Sequence, residues 1–200
     1  MAAKNLTITQ GKTFSLVLRW EAPPVIFKPI TGATQTAPVN LTVAAHGVPE
    51  GWRVAVTNVK GMTDINAPAN EVKDSDYHQA TVIDASTIQI NDINAAGFKP
   101  YVSGGYIQYN TPVVLTGFTA RMSIKDKVGG TELLSLTTEN GGIAIDLVRS
   151  TISLTITALA TAALTWKTGV YDLELVSGDV TPVVTALLTG KVTVTKEVTT

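Results

Sequence analysis

The sequence predicts an all-β protein, built as a β-sandwich with an inserted small β-barrel or β-sandwich module. Threonine and valine recur along the whole chain, and both favour extended backbone because they branch at Cβ. Apolar residues alternate with polar ones in many short runs, which is typical of strands that bury one face. Glycine-rich turns such as Asn140-Gly141-Gly142 separate these runs, as tight connections between antiparallel strands require.

The composition indicates a folded chain with large neutral surfaces. Of the 200 residues, 44% are hydrophobic and only 16% are charged, so the chain has enough apolar side chains for a core. A low density of charge leaves surfaces that associate readily. We therefore expect a subunit that lies among neighbours.

The charge and the missing cysteines exclude several function classes. The net charge is −1 and lysine and arginine are scattered singly, so we expect neither nucleic acid nor a membrane surface as a partner. Without cysteine there is no disulfide, no catalytic thiolate and no cysteine-bound metal. No signal-like segment begins the sequence and no run approaches the roughly 18 apolar residues of a membrane span. These observations predict synthesis in the cytoplasm.

The runs of alternation fall into three parts. The first strand is predicted at Thr13 to Trp20, with Phe14, Leu16 and Leu18 on one face. The stretch from Glu21 to Pro38 holds four prolines, and it is predicted to be a connection with a short extended run at 25–27 because proline has no amide to donate. The further predicted strands begin near residues 41, 52, 79, 87, 106, 118, 134, 143, 152, 170, 183 and 191, and an alanine-rich run at 158–165 is predicted as one or two helical turns.

One architecture gives every strand a partner. The first strand pairs with strands after Val113 in a sandwich of about seven strands. Residues 1–30 and 110–200 then form the sandwich, and residues 31–109 form the inserted module, since surface loops tolerate insertions. A linear order of two domains is the alternative, but it leaves the first strand without a partner.

The part after Val113 carries a family resemblance. Leu115-Thr116-Gly117-Phe118-Thr119-Ala120-Arg121-Met122 is followed by Leu136-Thr137-Thr138-Glu139-Asn140-Gly141-Gly142-Ile143, and later by Val170-Tyr171-Asp172-Leu173-Glu174-Leu175. Thr161-Ala162-Ala163-Leu164 and Gly190-Lys191-Val192 belong to the same series. This order resembles the immunoglobulin-like domains of phage virion proteins, including the N-terminal domain of upper baseplate proteins. The resemblance implies an immunoglobulin-like β-sandwich.

The middle part is similar to a second phage module. The residues that carry this likeness are His46-Gly47, Trp52-Arg53-Val54, Val59-Lys60-Gly61-Met62-Thr63-Asp64-Ile65-Asn66, Ala85-Ser86-Thr87-Ile88-Gln89-Ile90 and Ala96-Gly97-Phe98-Lys99-Pro100-Tyr101-Val102-Ser103-Gly104-Gly105. They resemble β-barrel repeats of tail-associated phage proteins, which are often described by their likeness to a barrel subdomain of ubiquitin-activating enzymes. No enzymatic activity is implied. The long stretch from Asn66 to Gln79 departs from the pattern, which leaves the number of strands open.

The two resemblances imply a structural protein of a bacteriophage particle. We expect an adaptor in the tail, neck or baseplate that attaches to a symmetric ring and contacts neighbouring tail or fibre proteins. Its location is then the virion, after synthesis in the bacterial host cytoplasm. Capsid decoration and binding of a host glycan are the alternatives, and depolymerisation of a glycan ranks last because no catalytic constellation is visible. We expect no enzyme, no cofactor and no metal.

The titratable residues are predicted to be structural. His46 and His78 lack a local partner of the kind that a general base needs. The run Asp74-Ser75-Asp76 lacks the other ligands of a calcium loop. Glu132 and Glu139 flank a predicted hairpin strand, and their spacing in sequence fixes no distance in space.

The aromatic residues are the stronger candidates for a surface of contact. Trp52, Tyr101, Tyr106 and Tyr109 are predicted to pack the two modules together or to meet a partner, because aromatic side chains dominate protein interfaces. In the alternative of glycan binding, Trp52, Tyr101 and Tyr106 in the inserted module would carry it. The alternative for Trp52, and for Trp20, is a role as a core anchor at the end of a strand.

Overall fold

The structure is a computed structural model that describes residues 2–68 and 71–197. Strands hold 49% of the residues and helices 6%, which confirms the all-β class. The strands are, in chain order, β1 (Ala2–Ala3), β2 (Leu6–Thr9), β3 (Phe14–Arg19), β4 (Glu21–Pro29), β5 (Gly32–Ala33), β6 (Val39–Thr42), β7 (Arg53–Thr57), β8 (His78–Asp84), β9 (Thr87–Ile90), β10 (Tyr106–Pro112), β11 (Thr119–Lys125), β12 (Glu132–Thr137), β13 (Ile143–Asp146), β14 (Thr151–Ile156), β15 (Thr168–Val176) and β16 (Val184–Thr195). One short helix, α1 (Ala158–Ala162), follows β14.

The chain folds into two compact units. Residues 2–20 and 114–197 form the first, named here the sandwich unit. Residues Glu21–Val113 form the second, named here the inserted unit. The sequence placed the boundaries near residues 30 and 110, whereas the structure groups the whole of β4 with the inserted unit. The reason is that β4 pairs with β10 from Pro29 opposite Tyr106 to Glu21 opposite Pro112.

The two ends of the inserted unit lie side by side. Glu21 at the start of β4 is the cross-strand partner of Pro112 at the end of β10. Opposed residues of an antiparallel pair are separated by about 5 Å between their Cα atoms. The segment therefore leaves and returns at one place, which is the geometry that an insertion requires.

The sandwich unit consists of two sheets. A six-stranded sheet has the order β1-β16-β15-β11-β12, and β2 also pairs with β16. Both β1 and β2 run parallel to β16, whereas the other pairs in this sheet are antiparallel. A three-stranded sheet has the order β13-β14-β3. Among the described residues, the nine strands exceed the predicted seven because β1 has only two residues and the short alternation of β2, Leu6-Thr7-Ile8-Thr9, was not assigned to a strand.

The strand β3 has its partner among the strands after Val113, as the sequence required. It pairs antiparallel with β14, and Phe14, Leu16 and Leu18 lie opposite Ile156, Leu154 and Ile152. Because apolar and polar side chains alternate along each strand, each strand contributes one row of apolar side chains to the core. The buried apolar residues of this unit are Leu6, Ile8, Leu115, Ala120, Met122, Ile124, Leu136, Ile143, Ile152, Leu154, Ile156, Leu164, Tyr171, Leu173, Leu175, Leu188 and Val192.

The inserted unit is a seven-stranded sheet with the order β4-β10-β7-β8-β9-β6-β5. This order is open, with β4 and β5 at its ends, and it does not close into a barrel. Trp52 is fully buried at its centre, together with Leu41, Ile88 and Ile107. One 3-10 turn, Asp74–Asp76, lies in the stretch 66–79 that the sequence left open, and another, Thr63–Ile65, directly precedes it.

The prolines after Glu21 do not prevent a strand, which corrects the predicted connection. The register of β4 against β10 shifts between Asn110 and Thr111, so that Pro23 and Pro24 fall in a bulge with no cross-strand partner. A proline in a bulge of an outer strand removes no ladder hydrogen bond. Only the part of the stretch after Pro29 serves as a connection, apart from the two residues of β5.

The alanine-rich run forms α1, as its composition predicts. The hydroxyl of Thr157 accepts a hydrogen bond from the amide of Ala160 (3.2 Å) and so caps the first turn. In the described parts of the chain, no helix has the length and hydropathy that crossing a membrane requires.

Candidate functional site

Two of the four aromatic candidates lie in the core of the inserted unit. Trp52 is fully buried, and its indole nitrogen donates to the carbonyl of Asn110 (3.2 Å). Tyr109 is buried as well, and its hydroxyl donates to the carbonyl of His46. Burial raises the pKa of Tyr109. Both side chains are thus core residues and present no surface to a partner, which for Trp52 matches its alternative role.

The other two candidates differ in exposure. Tyr101 is partly buried, and its hydroxyl lies 2.9 Å from the carbonyl oxygen of Ile30 and 3.1 Å from that of Gly104. Tyr101 therefore holds the loop that precedes β10 against the segment that joins β4 to β5. Tyr106 on β10 is 46% exposed, so it is the candidate whose ring is most open to solvent.

The two histidines have structural partners. The Nε2 of His46 lies 2.7 Å from the carbonyl oxygen of Asp84, so this nitrogen carries the proton. Its Nδ1 accepts from the amide of Val48 (3.0 Å), and both ring nitrogens are thereby engaged. The Nδ1 of His78 lies 2.9 Å from the carboxylate of Asp92.

The acidic candidates likewise make local contacts. Asp76 accepts from the amide of Lys73 (2.8 Å), and Asp74 lies 3.4 Å from Arg53. Glu132 accepts from the hydroxyl of Ser123 (2.7 Å). Hydrogen bonds from its own amide and from two threonine hydroxyls lower the pKa of Glu139. Within residues 2–68 and 71–197, no group of three or more acidic or histidine side chains is placed to hold a metal ion.

A surface groove of the inserted unit lies beside β4, β10 and β7 and has a volume of about 770 Å³. Side chains alternate along β10, so that Ile107 and Tyr109 point into the core. Gln108 and Asn110 point outward and line the bottom of the groove. Phe27 on β4 is the direct cross-strand partner of Gln108. The described residues that line the groove are Val25, Phe27, Thr57, Asn58, Asn66, Ala67, Pro68, Glu71, Val72, Asp74, Tyr77, Gln108 and Asn110.

A charged network lies at one end of this groove. The carboxylate of Glu21 accepts from Arg53 through Nε (2.8 Å) and Nη2 (2.7 Å) and from the amide of Asn110 (2.8 Å). The guanidinium also lies 5.0 Å from the ring centre of Tyr77, at a distance that allows a cation–π contact. The hydrogen bonds to Glu21 raise the pKa of Arg53 above its ordinary value. Its charge is therefore engaged within the protein.

The remaining polar groups of the groove are mostly neutral. The side-chain amide of Gln108 donates to the hydroxyl of Tyr77 (3.2 Å), and Asn66 is bound on both sides to the backbone of Val59. Among the described residues, the side chains of Thr57 and Asn58 have no hydrogen-bond partner. Phe27, which lines the same groove, is 57% exposed. The groove thus combines an open aromatic ring with groups that donate and accept hydrogen bonds.

The sequence analysis missed the central residues of this groove. Phe27 lies in the proline-rich stretch, where a connection was expected and no face was assigned. Gln108 carried a usable signal, because it stands between Ile107 and Tyr109 in a strand whose apolar residues alternate. Had β4 been recognised as its partner, the pairing of Gln108 with an exposed phenylalanine would have followed from the register.

The sandwich unit has a smaller depression of about 430 Å³ on the outer face of its six-stranded sheet. Arg121 and Glu174 form an ion pair on it (2.8 Å), and serine and threonine side chains surround them. Such a face is an ordinary solvated sheet surface. No protein-family model matches the sequence, and no curated protein matches it either.

Proposed function

We propose that the chain is a structural subunit of a bacteriophage particle, an adaptor in the tail, neck or baseplate rather than an enzyme. It docks on a symmetric ring and contacts copies of itself and neighbouring tail or fibre proteins. The proposal is supported by the two resemblances given above and by the low density of charge, which favours association. The contacts are individually weak and become strong through the number of copies in the ring.

The observation that carries the proposal is the distribution of free strand edges. Among the described residues, β3 and β13 each pair on one side only, with β14 between them. A strand with an unpaired side offers amides and carbonyls to a strand of another chain. Val17 on β3 is exposed at this edge, and Ser15 beside it is exposed as well. We therefore assign the docking contact to β3.

The inserted unit has two free edges, of which β5 is only two residues long and the longer one, β4, differs in chemistry from β3. Its outer strand β4 contains Pro23, Pro24 and Pro29, and the bulge interrupts its register. Proline and bulges are devices that prevent an edge from pairing with another chain. The contrast between β3, which has no proline, and β4 supports the sandwich unit as the docking unit.

The test is the location and copy number of this chain in particles of a phage that encodes it. Cryo-electron microscopy and quantitative mass spectrometry of purified particles are expected to place the chain in a ring of roughly six to twelve copies, as cyclic symmetry at a tail or neck requires. Hundreds of copies on the shell would identify capsid decoration instead. Absence of the chain from the particles would overturn the proposal.

A pair of variants tests the role of β3 within the same particles. Val17→Lys adds a charge to the free edge, which is expected to abolish incorporation of the chain into the particle. Leu159→Lys changes an exposed apolar residue of α1 in the same unit and is expected to leave incorporation unchanged. Equal incorporation of both variants would exclude β3 as the docking edge.

A further inference from the structure

We propose that the groove on the inserted unit binds a neutral oligosaccharide, with Phe27 as the platform for one sugar ring. This inference goes beyond the structural role proposed above and does not depend on it. It also differs from the glycan site expected from the sequence. Trp52 is buried, and neither Tyr101 nor Tyr106 lines the groove.

The aromatic platform is the first argument. Phe27 is 57% exposed although it lies in a regular part of β4, where its neighbours Ile26 and Lys28 are both partly buried. A pyranose ring has one face of C–H groups, and such a face packs on the electron-rich face of an aromatic ring. The sheet fixes the backbone of Phe27 through its pairing with Gln108, so the platform loses little freedom when a ligand binds.

The second argument is the chemistry of the groups around the platform. Sugar hydroxyls both donate and accept hydrogen bonds, and side-chain amides and hydroxyls do the same. Gln108 adjoins Phe27 in register, and its amide already orients the hydroxyl of Tyr77. Thr57 and Asn58 line the same groove. Their side chains make no hydrogen bond to any of the described residues. These groups are available to a ligand that is rich in hydroxyls.

The third argument is the charge of the groove. Glu71 and Asp74 are the acidic residues that line it, and they disfavour an anionic ligand. Arg53, at one end of the groove, is held by Glu21 and is not offered to a carboxylate or a phosphate. A neutral sugar therefore fits better than an acidic one. The volume of about 770 Å³ lies within the range of small-molecule sites.

The test is a titration of the full-length, ¹⁵N-labelled protein with maltotriose, cellotriose, chitotriose and mannotriose, and with sialyllactose as the anionic probe. Two-dimensional NMR spectra are expected to show that at least one neutral trisaccharide shifts the amides of Phe27, Thr57, Asn58 and Gln108. Sialyllactose is expected to leave them unchanged. Calorimetry then gives the dissociation constant of the neutral sugar that binds.

Two variants assign the site. Phe27→Ala is expected to weaken binding by about tenfold or more, because it removes the stacking surface. Ile83→Ala is the matched control, since Ile83 is 53% exposed on β8 of the same unit and lies outside the groove. The spectrum of each variant without sugar verifies that it is folded.

Three results would overturn the inference. The first is a titration to about 10 mM in which no neutral trisaccharide shifts the groove amides, since a site with a dissociation constant near 1 mM would then be largely filled. The second is a set of shifts that maps outside the groove. The third is an unchanged dissociation constant for Phe27→Ala. Because the assay uses the isolated protein, these results are independent of whether the chain is found in a phage particle.

Discussion

Replacing Arg53 by methionine tests how strongly the charged network stabilises the inserted unit. The side chain of Glu21 is only 13% exposed, and Arg53 supplies three of the four hydrogen bonds described for its carboxylate. A fully buried ion pair that loses one partner costs about 3–5 kcal/mol. Arg53 itself is 33% exposed, so water replaces part of the lost interaction. We expect Arg53→Met to lower the free energy of unfolding by about 2–3 kcal/mol.

The measurement is urea unfolding followed by the fluorescence of one tryptophan. In a background where Trp20 and Trp166 are changed to phenylalanine, emission comes from Trp52 alone, and Trp52 lies in the core of the inserted unit. The double variant Glu21→Leu with Arg53→Met removes both charges together. We expect it to be less destabilised than the sum of the two single variants, by about 1–2 kcal/mol of coupling energy.

The exposed pair Arg121 and Glu174 is the matched control. Both residues lie on the surface of the sandwich unit, with side-chain exposures of 58% and 31%. Arg121→Met, followed by the fluorescence of Trp20 or Trp166 in that unit, is expected to cost less than about 1 kcal/mol. If Arg53→Met costs no more than this control, or if the double variant shows no coupling, the network does not hold the inserted unit in the way argued.

Three further expectations follow from other contacts. Tyr171→Phe removes the hydrogen bond from the hydroxyl to the carbonyl of Lys4 (2.8 Å), which is expected to cost about 1 kcal/mol in chemical unfolding and to speed hydrogen exchange in β1 and β2. Burial, together with the charge of Asp172, raises the pKa of Tyr171 to about 12. The unfolded chain therefore ionises first, and wild-type stability is expected to fall between about pH 10 and 12, whereas the Tyr171→Phe variant loses less in that window when unfolding is followed by circular dichroism. Gly61→Ala places a Cβ against the carbonyl of Pro100 at a φ of +87°, so a loss of about 2 kcal/mol or more in thermal unfolding is expected, against less than about 0.5 kcal/mol for Gly97→Ala, where the space is open.

Alternation of side chains made most of the strands predictable. In β11, Ala120, Met122 and Ile124 are buried and the residues between them are not, as a strand with one face in a core requires. The need of the first strand for a partner also predicted its long-range pairing, because β3 has no complementary strand nearby in the sequence. The strand β14 meets that need.

The remaining strands depend on context that a local pattern does not carry. Pro23 and Pro24 argue against a central strand, since proline within sheets is confined to edge strands and bulges. The bulge that holds them arises because β10 pairs with the two parts of β4 in different registers. The segments 183–188 and 191–195, predicted as two strands, form the single strand β16, whose register against β15 shifts between Leu173 and Glu174. The predicted break lies instead at Thr189-Gly190, because a glycine between two apolar runs looks like a turn. In the structure Gly190 is paired with Tyr171, and a Cβ there would collide with the carbonyl of Lys4.

The candidate site illustrates a related limit. Aromatic residues were selected by type, and type alone does not separate Trp52, which anchors a core, from Phe27, which is exposed on the sheet. Which face of β4 is outward is decided by its pairing with β10, and that pairing joins residues about 80 positions apart, such as Phe27 and Gln108. Surface sites on sheets are therefore harder to locate from sequence than the strands that carry them.

The parallel pairing of β2 with β16 has a consequence for the order in which the protein folds during synthesis. The amide of Lys191 donates to the side chain of Asn5, 186 residues earlier, and the neighbouring residues of β16 pair with β2. The sandwich unit therefore stays incomplete on the ribosome until β16 emerges, and Leu6 and Ile8 remain exposed to solvent or to chaperones until then. The inserted unit is one continuous segment and folds as soon as β10 has been translated. In the nascent chain, the inserted unit therefore completes its fold before the sandwich unit does.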